Sequence, residues 1–417
     1  MKTLFEEFMS GTRGYYSHGY FYINLSDVFD PDLSRLSKKE LGTFFHEYVH
    51  FLQNITTLWG IQVGVEYNNA MCEIFTDTIN ASEIHIPFHP TFTPQTQHRL
   101  EYLGQINGCV SRDMKIDTSK RIGLSVGPVE TQWQKPLQRF YLDVTYQNGQ
   151  TEKIQLGAAI VAESMAALCQ SLINPDADAH HDDIPYNVVQ IIANQHFPHI
   201  AQDKKKLICI CYMALFSLNP GWQFMDIMRY AEYNSDKSGL ELFDKFVKTS
   251  LVRIGDKTEK LVDFFDDQID KYILSIQGVL GYEPDYLKGL LNDVRLRQHA
   301  PLLHVLDDEK PFGWEHIQAL VDCLCVPFIE SKYGFTAFPY TDQSPKGSMD
   351  VMELVCNYKM INFLTKPQKG LETICPFMSL CKHDHDKCYD EPWNEKGCLA
   401  ATVMQGVGVS NKTVIID

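Results

Sequence analysis

The sequence predicts an α+β fold, and three observations carry that prediction. Short aromatic and β-branched runs read as strands, a strongly capped apolar stretch follows the first of them, and from about residue 203 to 365 the apolar periodicity is mostly helical. The chain has 417 residues, 44% of them hydrophobic and 12% aromatic. That composition belongs to a globular protein rather than a disordered one, and the length suits two or three domains.

The elements follow in order. Tyr20-Phe21-Tyr22-Ile23-Asn24-Leu25 is the first strand candidate, and a turn-rich segment with Pro31 follows it. A helix is predicted over Ser37 to Leu58. Ser37 and Glu40 are spaced as a capping box, Leu36 and Leu41 as a hydrophobic staple, and Gly60 is the expected stop. Phe140–Tyr146 and Thr151–Leu156 flank Asn148-Gly149, the strongest short hairpin signal. Ala158 to Ile173 reads as a small-residue helix whose one charged residue is Glu163, and a polar loop over 176–183 leads to a helix near Val188 to Asn194.

Further helical periodicity covers Leu207–Leu218, Leu240–Val252, Leu261–Ile276, Trp314–Ile329 and Val351–Leu364. Beyond that, cysteines, histidines and acids crowd between Cys375 and Cys398. Boundaries are therefore expected near 200 and 366, giving an N-terminal domain (1–200), a helical region (201–365) and a Cys-rich segment (366–417).

Charge narrows the function. There are 37 Lys and Arg against 53 Asp and Glu, a formal net charge of −16. Nucleic acids and anionic membranes both demand clustered cations, and the only dense basic run is Lys204-Lys205-Lys206, so neither is an expected partner. The longest apolar run, Leu207 to Phe216, is about half a membrane span. Glu6 and Glu7 interrupt any signal-peptide pattern, which points to a cytoplasmic protein whose 12 cysteines are reduced thiols or metal ligands.

Within the capped helix lies His46-Glu47-Tyr48-Val49-His50. Positions i and i+4 share a helix face, so both imidazoles can bind one zinc ion, with Glu47 beside that face as a general base. Buried together without a cation, these groups would carry a large desolvation cost. The longer run Thr43 to Leu52 resembles the active-site helix of the zincin metallopeptidases, with uncharged inner positions and apolar Phe51 after the second histidine. The resemblance implies a zincin-like catalytic domain, catalytic Zn²⁺ and peptide-bond hydrolysis.

A catalytic zinc needs a third protein ligand and an open position. The metzincin continuation is absent, since Gln53 and Thr56 stand where its glycine and histidine would be. The gluzincin solution takes a glutamate from a second helix. Glu163, a lone carboxylate among alanines, is the favoured choice, with Glu66 and Glu73 as competitors nearer in sequence. His181 or Tyr186 is the candidate donor to a tetrahedral oxyanion, and the hairpin before Glu163 the candidate edge strand for substrate.

Cys375, Cys381, Cys388 and Cys398 have five, six and nine residues between them. Four thiolates suit a structural zinc site, or alternatively an iron–sulfur cluster, and His383 or His385 could replace one of them. The other eight, Cys72, Cys109, Cys169, Cys209, Cys211, Cys323, Cys325 and Cys356, sit in apolar contexts and are expected in the core. The expected activity is that of a zinc metallopeptidase acting on a protein or peptide. A zinc hydrolase of a non-peptide substrate, or a zinc-stabilised binding or regulatory protein, is the alternative.

Overall fold

A computed structural model describes residues 14–108, 114–129, 137–176, 182–297, 299–307, 310–331, 334–337, 348–365, 377, 399–409 and 412–416. The fold is α+β. In chain order the elements are β1 (Gly14–Ser17), β2 (Tyr22–Leu25), α1 (Lys38–Thr56), α2 (Leu58–Asn80), β3 (Glu83–Ile86), α3 (Pro94–Asn107), β4 (Gly123–Val129), β5 (Leu137–Thr145), β6 (Thr151–Leu156), α4 (Ala158–Ile173), α5 (Val188–His196), α6 (Lys204–Leu215) and α7 (Pro220–Tyr233). They continue with α8 (Gly239–Thr249), β7 (Leu251–Ile254), β8 (Lys257–Lys260), α9 (Leu261–Leu280), α10 (Asp285–Leu296), α11 (Pro301–Leu306), α12 (Trp314–Leu324), β9 (Phe328–Ser331), β10 (Gly334–Ala337), α13 (Ser348–Thr365), α14 (Leu399–Gly406) and β11 (Thr413–Ile416).

The centre of the molecule is α1. Ser37 accepts from the backbone of Glu40, whose side chain returns to the Ser37 N–H, so both halves of the capping box form. From Leu41 to Thr56 every residue is buried, the pattern of a helix enclosed on all sides rather than lying on a surface. The helix ends three residues earlier than Gly60 would have it. Thr57 caps a new helix through the Gly60 N–H, and Gly60 sits inside α2. A Cβ at Gly60 would lie 2.1 Å from the Gln53 carbonyl oxygen, so this glycine serves a close crossing of α1 and α2 and not a stop.

α2, α4, α10, β1 and β2 pack directly against α1. β1 and β2 form an antiparallel pair, and β2 pairs in parallel with β9, Tyr22 opposite Phe328, in a four-stranded sheet ordered β1-β2-β9-β10. Residues 328–329, expected at the end of a helix, belong to this sheet: α12 stops at Leu324 and Cys325 takes a positive φ of 59°. The expected hairpin forms as β5 and β6 around Gly149 (φ 86°), with β4 added on the far side of β5. Its last strand runs through Gly157 directly into α4.

A single large hydrophobic core joins residues from Tyr16 to Ile361, so residues on both sides of position 200 share it. A second, smaller cluster unites Ile84 and Ile86 of β3, Met360, Phe363 and Leu364 of α13, and Phe377, Ala400, Met404 and Val407. β11 pairs in parallel with β3, and Lys412 donates to the Thr78 and Ile79 carbonyls at the end of α2. The described part of the last segment is thus held by apolar packing and strand pairing.

Of the cysteines expected in the core, Cys169, Cys209, Cys211 and Cys356 are buried. Cys72, Cys323 and Cys325 are only half-buried, the latter two where α12 frays into the turn before β9, and Cys109 lies outside the described residues. Among the described residues no helix is long and apolar enough to cross a membrane.

Candidate metal centre

α1 and α4 pack antiparallel. Moving along α1, Gly42 faces Asn174 and Gln170, His46 meets Gln170 and Glu163, and Gln53 reaches the Ala162 carbonyl. Glu163 and Gln170 are seven residues apart, two helical turns, and therefore share one face of α4. Alanines at 159, 162, 166 and 167 leave that face low enough for the helices to close on each other.

The structure brings three of the sequence-selected residues together. Glu163 Oε2 lies 3.1 Å from His46 Nε2 and 3.3 Å from His50 Nε2. One donor atom from each residue falls within 4.8 Å of the others, and all three side chains are buried. His46 Nε2 is aligned for a hydrogen bond to Glu163, whereas His50 Nε2, though close, is not, and this buried nitrogen has no hydrogen-bond partner. Two imidazole nitrogens and a carboxylate oxygen, one of them unsatisfied, are a donor set that zinc fits.

The far side of each ring is also fixed. His46 Nδ1 is 3.1 Å from Gln170 Oε1, and His50 Nδ1 is 2.8 Å from Gln53 Oε1. An amide oxygen accepts only, so each contact keeps a proton on Nδ1 and leaves Nε2 as the atom facing Glu163, able to donate to that carboxylate when it carries a proton and to ligate a metal when it does not. Burial works to raise the Glu163 pKa, but His50 and His46 outweigh it and hold the carboxyl well below its usual range. Burial likewise opposes protonation of His50, and Glu163 reverses it, so its pKa lies above the ordinary value.

Glu47 lies beside that cluster, on the side where β1 begins. It is buried, and burial pushes its carboxyl up to about 7 against the pull of His46 and His50. A Cβ at Gly14 would lie 3.1 Å from Glu47 Oε1, so the missing side chain at the start of β1 makes room for this carboxylate. β1 is an edge of the four-stranded sheet among the described residues, and it runs along α1. Tyr16 stacks edge-on against Phe51 and donates to Asn54 Oδ1 at 2.8 Å. The hairpin expected to supply an edge strand forms a separate three-stranded sheet in which β6 is an edge, and β1 is a second edge, next to Glu47.

The competing carboxylates have other partners. Glu66 contacts Arg99 at 3.4 Å, and Glu73 accepts from the Thr93 N–H and from the Thr93 and Thr96 hydroxyls, fastening the start of α3 to α2. Tyr186 stands at the rim, its ring centroid 5.9 Å from that of His46. His181, the four tail cysteines Cys375, Cys381, Cys388 and Cys398, and His383 and His385 lie outside the described residues.

One neighbour escaped the sequence reading. His18, just after β1, is buried with its ring 6.1 Å from that of His50 and edge-on to Trp59 at 5.3 Å. Burial, with His50 adding to it, drives its pKa down to about 3, so the imidazole is neutral, and its Nε2 has no hydrogen-bond partner. A lone histidine between aromatic residues carries no motif, and only the β1–α1 contact reveals it.

No family model, no curated protein and no solved structure matches this chain.

Proposed function

We propose that the protein is a zinc-dependent metallopeptidase with a zincin-like, gluzincin-type centre, in which His46, His50 and Glu163 hold the ion. The observation that supports this most is the convergence of both Nε2 atoms on Glu163 Oε2, with Glu47 buried on the same helix between the two ligating histidines. Bound zinc would polarise a scissile carbonyl and lower the pKa of water at its open position.

The chain's own residues supply the rest. Glu47, with a pKa near 7, is suited to take a proton from the attacking water at neutral pH and return it to the leaving nitrogen. β1 offers a strand edge against which an extended peptide backbone can pair. Tyr186 is the candidate donor to developing negative charge on the substrate oxygen. Cys375, Cys381, Cys388 and Cys398 would hold a second, structural zinc, with an iron–sulfur cluster as the other occupant of four thiolates.

Glu47→Gln tests the reading. The variant should retain zinc and lose hydrolysis of a peptide library that the wild type cleaves. A wild type that binds zinc yet cleaves no peptide in the library would sink the peptidase reading and favour a non-peptide substrate or a binding role.

A further inference from the structure

Among the described residues, each imidazole of the centre is backed by a side-chain amide. Gln170 Oε1 stands 3.1 Å from His46 Nδ1, and Gln53 Oε1 stands 2.8 Å from His50 Nδ1. Both glutamines are buried, Gln170 at 3% exposure and Gln53 at 0%. They belong to the two helices that form the centre. Gln170 lies two turns beyond Glu163 on α4, and Gln53 lies one turn beyond His50 on α1. Gly42 makes room for the first of them, since a Cβ there would be 3.4 Å from Gln170 Cγ.

A partner behind a ligating imidazole fixes its tautomer and its orientation. A carboxylate in that place also raises the basicity of the nitrogen that holds the ion. An amide oxygen supplies the first effect and brings no charge for the second. A zinc ion held by Glu163 and two neutral imidazoles keeps a net positive charge, and neither glutamine offsets it. Packing alone would account for a buried glutamine at either place. It does not account for both amide oxygens meeting the Nδ1 of a ligating histidine.

We propose that Gln170 and Gln53 are positioning residues whose lack of charge sets the strength of the centre: they aim each Nε2 while leaving zinc more electron-poor, and more readily released, than acids in their places would. This rests on the zinc reading of the site and adds to it how tightly the ion is held and what sets that. Glu163 remains the one carboxylate ligand, and the two amides decide how much electron density the imidazoles give.

Gln170→Glu and Gln170→Met separate charge from shape, because both side chains are close to glutamine in size and only the first can accept from His46. Competition of zinc between the full chain and a chromophoric chelator reads the result. Gln170→Glu should bind zinc about tenfold more tightly than wild type, and Gln170→Met about 10- to 100-fold more weakly. Each protein is prepared loaded with zinc, so that the cation is present beside the new acid, and thermal melting confirms the fold. Release of zinc to excess chelator should then be slower in Gln170→Glu and faster in Gln170→Met. Two variants that shift affinity in the same direction, or not at all, overturn the proposal and leave the zinc reading standing. So does a Gln170→Glu chain that fails to fold even with zinc supplied. A wild type that binds no zinc removes the zinc reading itself, and the proposal with it.

Discussion

Gln53 holds His50 from behind, its Oε1 2.8 Å from Nδ1, while its own Nε2 donates to the Ala162 carbonyl at 2.9 Å. One side chain thereby links the second histidine of α1 to the turn of α4 that carries Glu163, and ties the tautomer of the imidazole to the spacing of the helices. Polar partners behind ligating histidines typically matter 10- to 100-fold in metal affinity. Gln53→Met, close in volume but unable to accept or donate, should weaken zinc binding by about that factor with little change in secondary structure. Competition against a chromophoric chelator measures it. Affinity equal to wild type would mean that Gln53 does not orient the ring.

The nearest side chain to Gly14 is that of Glu47. The absent Cβ of Gly14 would sit 3.0 Å from the Asn24 carbonyl oxygen and 3.1 Å from Glu47 Oε1, so the carboxylate is the softer neighbour and would be the one to move. Misplacing a general base by about 1 Å can cost roughly 100-fold in rate. Gly14→Ala should therefore lower kcat for peptide hydrolysis by about 10- to 100-fold at unchanged zinc content. Equal loss of zinc and activity would instead indicate a general collapse of β1 onto α1.

Much of the site was legible because its chemistry is local. A capping box, an i, i+4 pair of histidines and a carboxylate alone in an alanine-rich helix all declare themselves in short windows, and α1 and α4 form where those windows lie. What escaped is non-local. His18 and Gly14 matter through contacts of β1 with α1, and β2 finds β9 some 300 residues away in sequence, a pairing that no local pattern encodes. Gly60 misled for the same reason: within its window it looks like a helix end, and only the crossing of two helices explains it. The Trp314–Ile329 periodicity failed at its end because a short apolar run suits a buried strand as well as a helix.

His299 makes the fold sensitive to acid. Burial, reinforced by Arg295, lowers its pKa to about 4 from an ordinary 6.5, and it packs edge-on to Phe265 at 4.8 Å. Asp266 lies 3.5 Å from Nε2, which would favour the charged ring. That carboxylate is partly solvated and shared with Arg295, and burial wins. A depressed folded pKa gives stability that is complete above 6.5 and lost as pH falls toward 4, because the unfolded chain takes the proton first. The loss attributable to His299 should be about 1–3 kcal/mol across that window. Urea unfolding at stepped pH should show a shallower slope in His299→Asn than in wild type. Parallel slopes would remove His299 as the cause.

Gly60 offers the sharpest test of how the helices are held. A methyl group there would lie 2.1 Å from the Gln53 carbonyl oxygen and 2.5 Å from the Asn54 Cα, both backbone atoms, so no side-chain rotation relieves it. Asn54 also donates to the Gly60 carbonyl at 2.9 Å, which fixes the crossing from the other side. Gly60→Ala must drive α2 away from α1 and should cost about 3 kcal/mol or more. Because the displaced segment of α1 carries Gln53, zinc affinity should fall with stability. Gly104 is the control: it lies in the exposed face of α3 with nothing within 4 Å of its would-be Cβ. Gly104→Ala should be neutral or stabilising by up to about 1 kcal/mol, through helix propensity alone. Denaturation midpoints of the two variants decide the matter, and a Gly60→Ala protein as stable as Gly104→Ala would show that α1 and α2 do not cross as closely as described.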